Sequence, residues 1–376
     1  MAQKIIIACG GTGGHSFPGL AVAKNLAARG HYVIVWSSGR TIEDTVMKYW
    51  NGPMFSTGAR PLSAKNFFAN ALSVIRCRRE MSRERPDALL AMGSYASLPP
   101  VIAAASKHIP IALHEANTVP GRAVDYLSRF AKVIAISFDE TADYLAGRHL
   151  EKTGLPVREE IFGQPRLDEV PPNAFTVFVT GGSQGAHRVN EITSAALALV
   201  QADIAKRKIP RPLYVIHQTG AADEAMISAL YMAKGIPARV KAFEREMGRA
   251  FTTADVVIAR AGASTCFELA RVGKPAFFIP LPSAMRNHQH FNAEAFVRAG
   301  AACEGLQDTL TPRALANWIL NKMEHPETLE ALSKKMLALS TPNAAARVAD
   351  IVEMLSAKRL RNGDSPDGFT NEREEQ

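Results

Sequence analysis

Two stretches of the chain are built alike, and this likeness limits the fold more than any other feature of the sequence. Near the N-terminus, "KIIIACGGTGGHSFPGLAVAKNL" passes from an apolar run through glycines into a helical pattern. Past the middle, "AFTVFVTGGSQGAHRVNEITSAALALVQ" does the same. In each the order is strand, Gly-Gly, hydroxyl residue, glycine, histidine, helix, starting at Gly10 and at Gly181. A strand that is apolar on both faces needs cover on both. One that leaves through a glycine turn into a helix is a β–α unit of a parallel sheet. The chain therefore reads as two copies of one α/β architecture.

Further runs repeat the pattern. "HYVIVWSS", "DALLAM", "PIALHE" and "KVIAIS" read as strands of the first half, and "LYVIHQTG", "RVKAF", "DVVIARAG" and "PAFFIPLP" as strands of the second, with helices between them. A first helix is expected from Pro18, suited to an N1 position, to a cap at Gly30. A second is expected over "TIEDTVMKYW", where Thr41 and Asp44 have capping-box spacing. A chain of 376 residues, 47% of them hydrophobic, can fill two cores. The join falls in "TGLPVREEIFGQPRLDEVPPNAF", where Pro156, Pro165, Pro171 and Pro172 and the lack of a period mark a linker. The expected domains are 1–157 and 158–341, followed by a helix over 342–358 and a polar, disordered tail over 359–376.

Composition excludes several classes. Cys9, Cys77, Cys266 and Cys303 lie far apart without a C-x-x-C pair or zinc-site spacing. They read as buried fillers or free thiols in a reducing compartment. The run from Ile5 to Cys9 is too short for a signal-peptide core. The uncharged stretch from Ala88 to Ser106 is long enough to span a membrane, but polar residues interrupt it and Pro99-Pro100 breaks its middle. It reads as strand, loop and helix, and the chain as soluble or peripheral. The formal net charge of +8 suits nucleic acid, anionic lipid or a phosphorylated substrate, or is incidental surface charge.

The first glycine turn fits neither common nucleotide motif. A P-loop needs a lysine after its glycines, and none follows. A dinucleotide fingerprint read from Gly11 places Ser16 where the last glycine belongs, and "VIVWSS" has no acid at its end to hold a ribose. What remains is a turn whose N–H groups face an anion or a hydroxyl-rich ligand, backed by a helix dipole. Two such turns facing a cleft would hold a donor and an acceptor. His15 at the tip of the first would either take a proton from an attacking hydroxyl or hydrogen-bond its own loop.

The second half carries "RAGASTCFELARVGKPA". Its strand ends at Gly262, and Ala263, Ser264 and Thr265 open a helix whose free N–H groups suit a diphosphate. Glu268, three residues after Thr265, has two readings: partner in a capping box, or acceptor of hydrogen bonds from ribose hydroxyls. "NHQHFNA" offers His288, Gln289 and Asn292 to sugar hydroxyls, or is a polar loop. No D-x-D is present to hold a diphosphate through a metal; helix N-termini with Arg158 or Arg260 would do so instead.

"GGTGGHSFPGLAVA", "GSYASLPP", "HEANTVPG", "GLPVR", "GGSQGAHRVN", "RAGASTCFELA" and "NHQHFNA" occur in this order from about Lys4 to Lys358, nearly the whole chain. In this combination the sequence resembles the MurG family of bacterial N-acetylglucosaminyltransferases. The resemblance implies a GT-B glycosyltransferase of two Rossmann-like domains, their parallel sheets facing a central cleft, with the C-terminal helix packed back on the first domain. The donor would be UDP-GlcNAc and the acceptor lipid I, a muramyl pentapeptide on undecaprenyl diphosphate. The product would be lipid II, formed with inversion for peptidoglycan synthesis. No cofactor, no metal and no nucleic acid are implied.

Carried over by position, the resemblance places Thr12, Gly13 and Gly14 in a turn that faces the reaction centre and the donor. His15 becomes the catalytic base or an acceptor ligand. Tyr95, His114, Glu115 and Asn117 would line the acceptor side, with Asn117 also reaching the donor sugar. Arg158 and Ser183 would contact the nucleotide, Ala263, Ser264 and Thr265 the diphosphate, Glu268 the ribose and Gln289 the GlcNAc hydroxyls. Four positions depart from the family's pattern. Leu155 replaces a common asparagine, Ser94 a second glycine, and Arg286 an acid. Glu244 stands where an apolar residue commonly reads the uracil through its backbone, and such a backbone contact survives the change.

"RPLSAKNFFANALSVIRCRREMSRERP" joins an apolar stripe to positive charge. Phe68, Leu72 and Ile75 fall at i, i+4 and i+7, and Arg76, Arg78, Arg79, Arg83 and Arg85 follow against two glutamates. By its pattern alone this is a core helix with a solvated end. Together with a lipid-linked acceptor it becomes a docking surface for anionic lipid, at the cytoplasmic face of the bacterial inner membrane, with other wall-synthesis proteins as further partners.

Overall fold

The computed structural model describes residues 2–11, 13–40, 43 and 46–361. Thr12, the capping pair Thr41 and Asp44, and the tail from 362 onward lie outside the described residues. The chain divides into two compact units, Met1–Val157 with the segment from Thr341 onward, and Arg158–Ser340.

The first unit holds a seven-stranded sheet. Its strands are β1 (Lys4–Ala8), β2 (Tyr32–Ser37), β3 (Met54–Ser56), β4 (Ala88–Ala91), β5 (Ile111–Glu115), β6 (Val133–Ile136) and β7 (Leu150–Lys152). They lie in the order β3-β2-β1-β4-β5-β6-β7, and every pairing is parallel. Strands β4, β5 and β6 are buried throughout, and β1 from Ile5 onward, because their apolar runs are covered on both faces, as an all-parallel sheet requires. The connecting helices are α1 (Gly13–Ala28), α2 (Phe67–Glu84), α3 (Leu98–Ala105) and α4 (Arg122–Leu127). The segment 88–106 is thus strand, turn and helix, and among the described residues no helix is long and apolar enough to cross a membrane.

The second unit repeats the plan with six parallel strands in the order β10-β9-β8-β11-β12-β13. These are β8 (Phe175–Thr180), β9 (Leu213–Gln218), β10 (Ala238–Lys241), β11 (Val256–Ala259), β12 (Ala276–Phe278) and β13 (Ala302–Glu304). Its helices are α5 (His187–Arg207), α6 (Glu224–Ala233), α7 (Met247–Thr253), α8 (Ala263–Val272), α9 (His288–Arg298), α10 (Pro312–Glu324) and α11 (Glu327–Ala338).

The last helix, α12 (Ala344–Arg361), returns to the first unit. Val348, Ala349, Ile351, Val352 and Leu355 join the core that Ile5, Ile7, Val22 and Val35 form on one face of the sheet. Arg29 reaches Asp350 at 2.6 Å and Glu353 at 2.8 Å from the surface side. The helix continues past its expected end at 358, and Arg359 donates to the Pro86 carbonyl at 2.8 Å. The expected tail therefore does not begin at 359.

Candidate functional site

The first glycine turn is fastened by a carboxylate. Glu43, buried, accepts from the N–H groups of Gly11 at 2.5 Å, Ser38 at 2.9 Å and Gly39 at 3.0 Å, and from the Ser38 hydroxyl. One side chain so ties the turn after β1 to the turn after β2. Helix α1 begins at Gly13, five residues before Pro18, which lies inside it. His15 therefore sits in the first helical turn rather than at a loop tip. Its Nδ1 is 2.8 Å from the Met92 carbonyl. A carbonyl only accepts, so Nδ1 carries the proton and the lone pair of the neutral ring is on Nε2.

The turn after β4 lies against the first. Ser94 donates to the Gly10 carbonyl at 2.8 Å, and Tyr95 receives a hydrogen bond from Arg40 at 3.2 Å. Ser94 has φ +63° and ψ 172°, a conformation that suits the glycine common at this place in the resembling family. His114 and Glu115 end β5 and are both buried. His114 faces the Gly154 carbonyl through Nε2 at 3.2 Å, and burial pushes its pKa down to about 4, so it is neutral. Burial pushes Glu115 up to about 7 against the N–H donors of Asn117 and Gly121, at 2.8 and 3.0 Å. The Asn117 amide also donates to Glu115, at 3.2 Å. Enclosed in this way, Glu115 shapes the loop that presents Asn117.

In the second unit a cavity of about 380 Å³ opens between two glycine turns. Gly181, Gly182, Gly185 and Ala186 form one wall and Gly262 with Thr265 the other; His187, Arg260, Leu281 and Gln289 complete it. A side chain at Gly185 (φ +72°) would place its Cβ 2.0 Å from the Thr219 carbonyl oxygen, so only glycine fits there. Ser183 is exposed on the same turn.

Helix α8 opens with Gly262 as its N-cap and no side-chain cap. The capping box that one of the two readings gave to Thr265 and Glu268 is not formed, because both lie inside the helix. Thr265 is directed to the cavity, while Glu268 pairs with Arg158 Nε at 2.7 Å. Ala263 is buried, and the buried Ser264 hydroxyl has no hydrogen-bond partner among the described residues. Gln289 accepts from the Leu281 N–H at 3.0 Å, which leaves its NH₂ as donor. Nearby, Asn292 donates to the Ala261 carbonyl at 3.1 Å and so fixes α9 against the second turn.

The departures have local explanations. Glu244 is buried and turned inward: Arg239 grips both its oxygens, at 2.8 and 3.1 Å, and its backbone N–H donates to Gln218. Leu155 is wholly buried. Arg286 is exposed on a left-handed bend (φ +52°) before α9.

The sequence did not single out His187 as a site residue, although the comparison of the two turns had set it beside His15. It lines the cavity, and its Nδ1 lies 2.9 Å from Asp223. Behind it, Asn190 donates to Asp223 at 2.7 Å, buried His217 donates to Asn190 at 3.1 Å, and Tyr231 donates to His217 at 2.7 Å. Among the described residues no three His, Cys, Asp or Glu side chains gather as metal ligands.

The glycosyltransferase family 28 N-terminal domain matches residues 5–136, and the family's C-terminal domain matches residues 176–353. A UDP-N-acetylglucosamine–N-acetylmuramyl-(pentapeptide) pyrophosphoryl-undecaprenol N-acetylglucosamine transferase of Myxococcus xanthus (strain DK1622) is 35% identical over 358 residues, covering 93% of this chain and 92% of that protein. The crystal structure of Acinetobacter baumannii MurG superposes with a TM-score of 0.76 at 30% identity, covering 94% of this chain and 99% of that one. The chain belongs to the MurG family. A UDP-GlcNAc 2-epimerase of Neisseria meningitidis shares only the fold, at 13% identity and a TM-score of 0.70 over 93% of this chain and all of the other. The doubly wound units are thus those of a GT-B enzyme, and the motifs that mark the MurG family lie at the turns after β1, β4, β5, β8 and β11.

Proposed function

We propose that the protein transfers N-acetylglucosamine from UDP-GlcNAc to the C4 hydroxyl of the muramyl sugar of lipid I, giving lipid II for peptidoglycan synthesis. The observation that carries this is the match, along nearly the full length of both chains, to a relative named for that transfer. The cavity of the second unit supports it. Two helix N-termini, α5 and α8, present backbone donors to its wall. Such groups hold a diphosphate without a metal. The Arg158–Glu268 pair would meet the ribose and Gln289 the sugar hydroxyls.

Inversion requires the acceptor oxygen to form its bond to the anomeric carbon as the bond to UDP breaks, while a base removes the hydroxyl proton. His15 suits that base: Nδ1–H is fixed by Met92, so Nε2 is the nitrogen that accepts. As an acceptor ligand His15 would use the same nitrogen to hold the hydroxyl without taking its proton. Tyr95 and Asn117 would contact the acceptor, with His114 and Glu115 acting through the loop they shape.

Lipid I is reached at a membrane surface, and α2 offers the means. Phe67, Phe68, Leu72 and Ile75 are 68%, 78%, 62% and 48% exposed, and Arg76 and Arg79 follow on the solvent side. This face would bind anionic lipid at the cytoplasmic side of the inner membrane.

The decisive assay offers radiolabelled UDP-GlcNAc and a short-chain lipid I analogue. Labelled disaccharide product is expected; tight donor binding without transfer would refute the activity. His15→Ala should lower turnover far more than donor affinity if His15 is the base. A loss confined to acceptor KM would make it a binding residue.

A further inference from the structure

We propose that His187 enters the donor cavity as an imidazolium and supplies positive charge to the donor's diphosphate, with Asp223 as the positioning residue that holds its ring. The proposal rests on the reading that this cavity binds UDP-GlcNAc. A sugar nucleotide diphosphate carries two negative charges, and the helix N-termini at the wall offer only partial positive ones. Arg260, the other cation of the lining, is already engaged: it donates to the carbonyls of Ile279 and Pro280 at 2.9 and 2.8 Å and to Gln307 at 2.6 Å. His187 is the first residue of α5, directly after the glycine turn, and its side chain is 63% exposed.

The groups around the ring favour its charged form. Asp223 lies at Nδ1, and Glu191 is 3.4 Å from Nε2, while Arg188 opposes them. The hydrogen bond to Asp223 leads in holding the pKa above the usual 6.5. Burial alone would raise the Asp223 carboxyl, but Asn190 and His187 together keep it below its usual value and so ionised. The order Tyr231, His217, Asn190, Asp223 explains that arrangement. Each group donates to the next, and the last acceptor faces the imidazole. On binding, Nε2–H turns from exposed Glu191 to a phosphate oxygen while Nδ1–H stays on Asp223.

The consequence is a donor affinity that depends on pH although the donor's own charge does not. The diphosphate of UDP-GlcNAc is esterified at both ends and keeps its charge near neutrality; UDP does not, and is the wrong probe. Titration calorimetry of the full-length protein with UDP-GlcNAc, in steps from pH 6 to 8.5, should show affinity falling about tenfold as the ring loses its proton above 6.5. His187→Gln should bind about tenfold more weakly at pH 6.5 and show a flat profile. His187→Arg should bind tightly with a flat profile, and Asp223→Asn should move the transition to lower pH. A His187→Gln protein with wild-type affinity and slope overturns the proposal, and so does a His187→Arg protein that keeps the slope. Thr265→Val and Gln289→Ala separate the two readings. If neither weakens UDP-GlcNAc binding, the assignment of the cavity fails. If both do and the His187 variants do not, only the role of His187 fails.

Discussion

Ser94 occupies a backbone conformation that is nearly reserved for glycine, and its hydroxyl helps to keep it there by donating to Gly10 and accepting from the Ala96 N–H at 3.2 Å. Replacing it by alanine keeps the strain and removes both bonds, whereas glycine removes the bonds and the strain together. Ser94→Ala should therefore be less stable than Ser94→Gly by about 1–2 kcal/mol in urea denaturation; equal stabilities would mean the strain is absent. Buried histidines set a second expectation. Burial pushes His217 down to about 3 and His114 to about 4. In the unfolded chain both take up a proton as pH falls through 6.5, so between those values the unfolded state holds more protons and stability falls on acidification. Glu115, raised to about 7, acts oppositely: its stabilising share is full below 4.5 and lost as pH rises through 7. His217→Gln should flatten the fall in unfolding free energy between pH 6.5 and 4.5 by about 1.4 kcal/mol per pH unit. An unchanged slope would show that His217 titrates normally. Residues whose chemistry follows from type and motif, such as Thr265 and Gln289, were legible in the sequence and line the cavity. Glu43 and Asp223 were not, because each acts on a turn distant in sequence, and only the parallel strand order brings them together.

At the scale of elements, the inner strands were legible because each is a continuous apolar run. Strands β3, β7 and β13 were not, being three-residue edge strands that are partly exposed and have no such run. Helix α1 was expected at Pro18 because proline suits a first turn; Gly13 and Gly14 before it turned out to be helical too, which brought His15 into the helix. Helix α2 had two readings, core or membrane face, and its stripe is exposed, so the first is excluded for Phe68 and Leu72. Exposed side chains contribute little to folding, so Phe68→Ser with Leu72→Ser should change stability by less than about 0.5 kcal/mol per site. The same protein should sediment less with anionic liposomes and keep its activity on a soluble acceptor. Liposome binding equal to the wild type would place the membrane contact elsewhere.

For the whole molecule, the second unit is one continuous stretch of chain and the first is not. A fragment of Arg158–Ser340 should fold alone and bind UDP-GlcNAc, followed by circular dichroism and calorimetry. A fragment ending at Val157 should not fold, because the face of its sheet that carries Ile5, Ile7 and Val35 lacks α12. Cooperative melting of that shorter fragment would show that α12 is dispensable. The position of α12 also sets an order of events at the ribosome. The strands of the first unit emerge first, yet the helix that closes their core is made only after the entire second unit. At synthesis rates of about 5–20 residues per second, that apolar face waits on the order of 10–40 s for its cover. During that time the nascent chain depends on whatever in the cell shields exposed hydrophobic surface, although the finished enzyme does not.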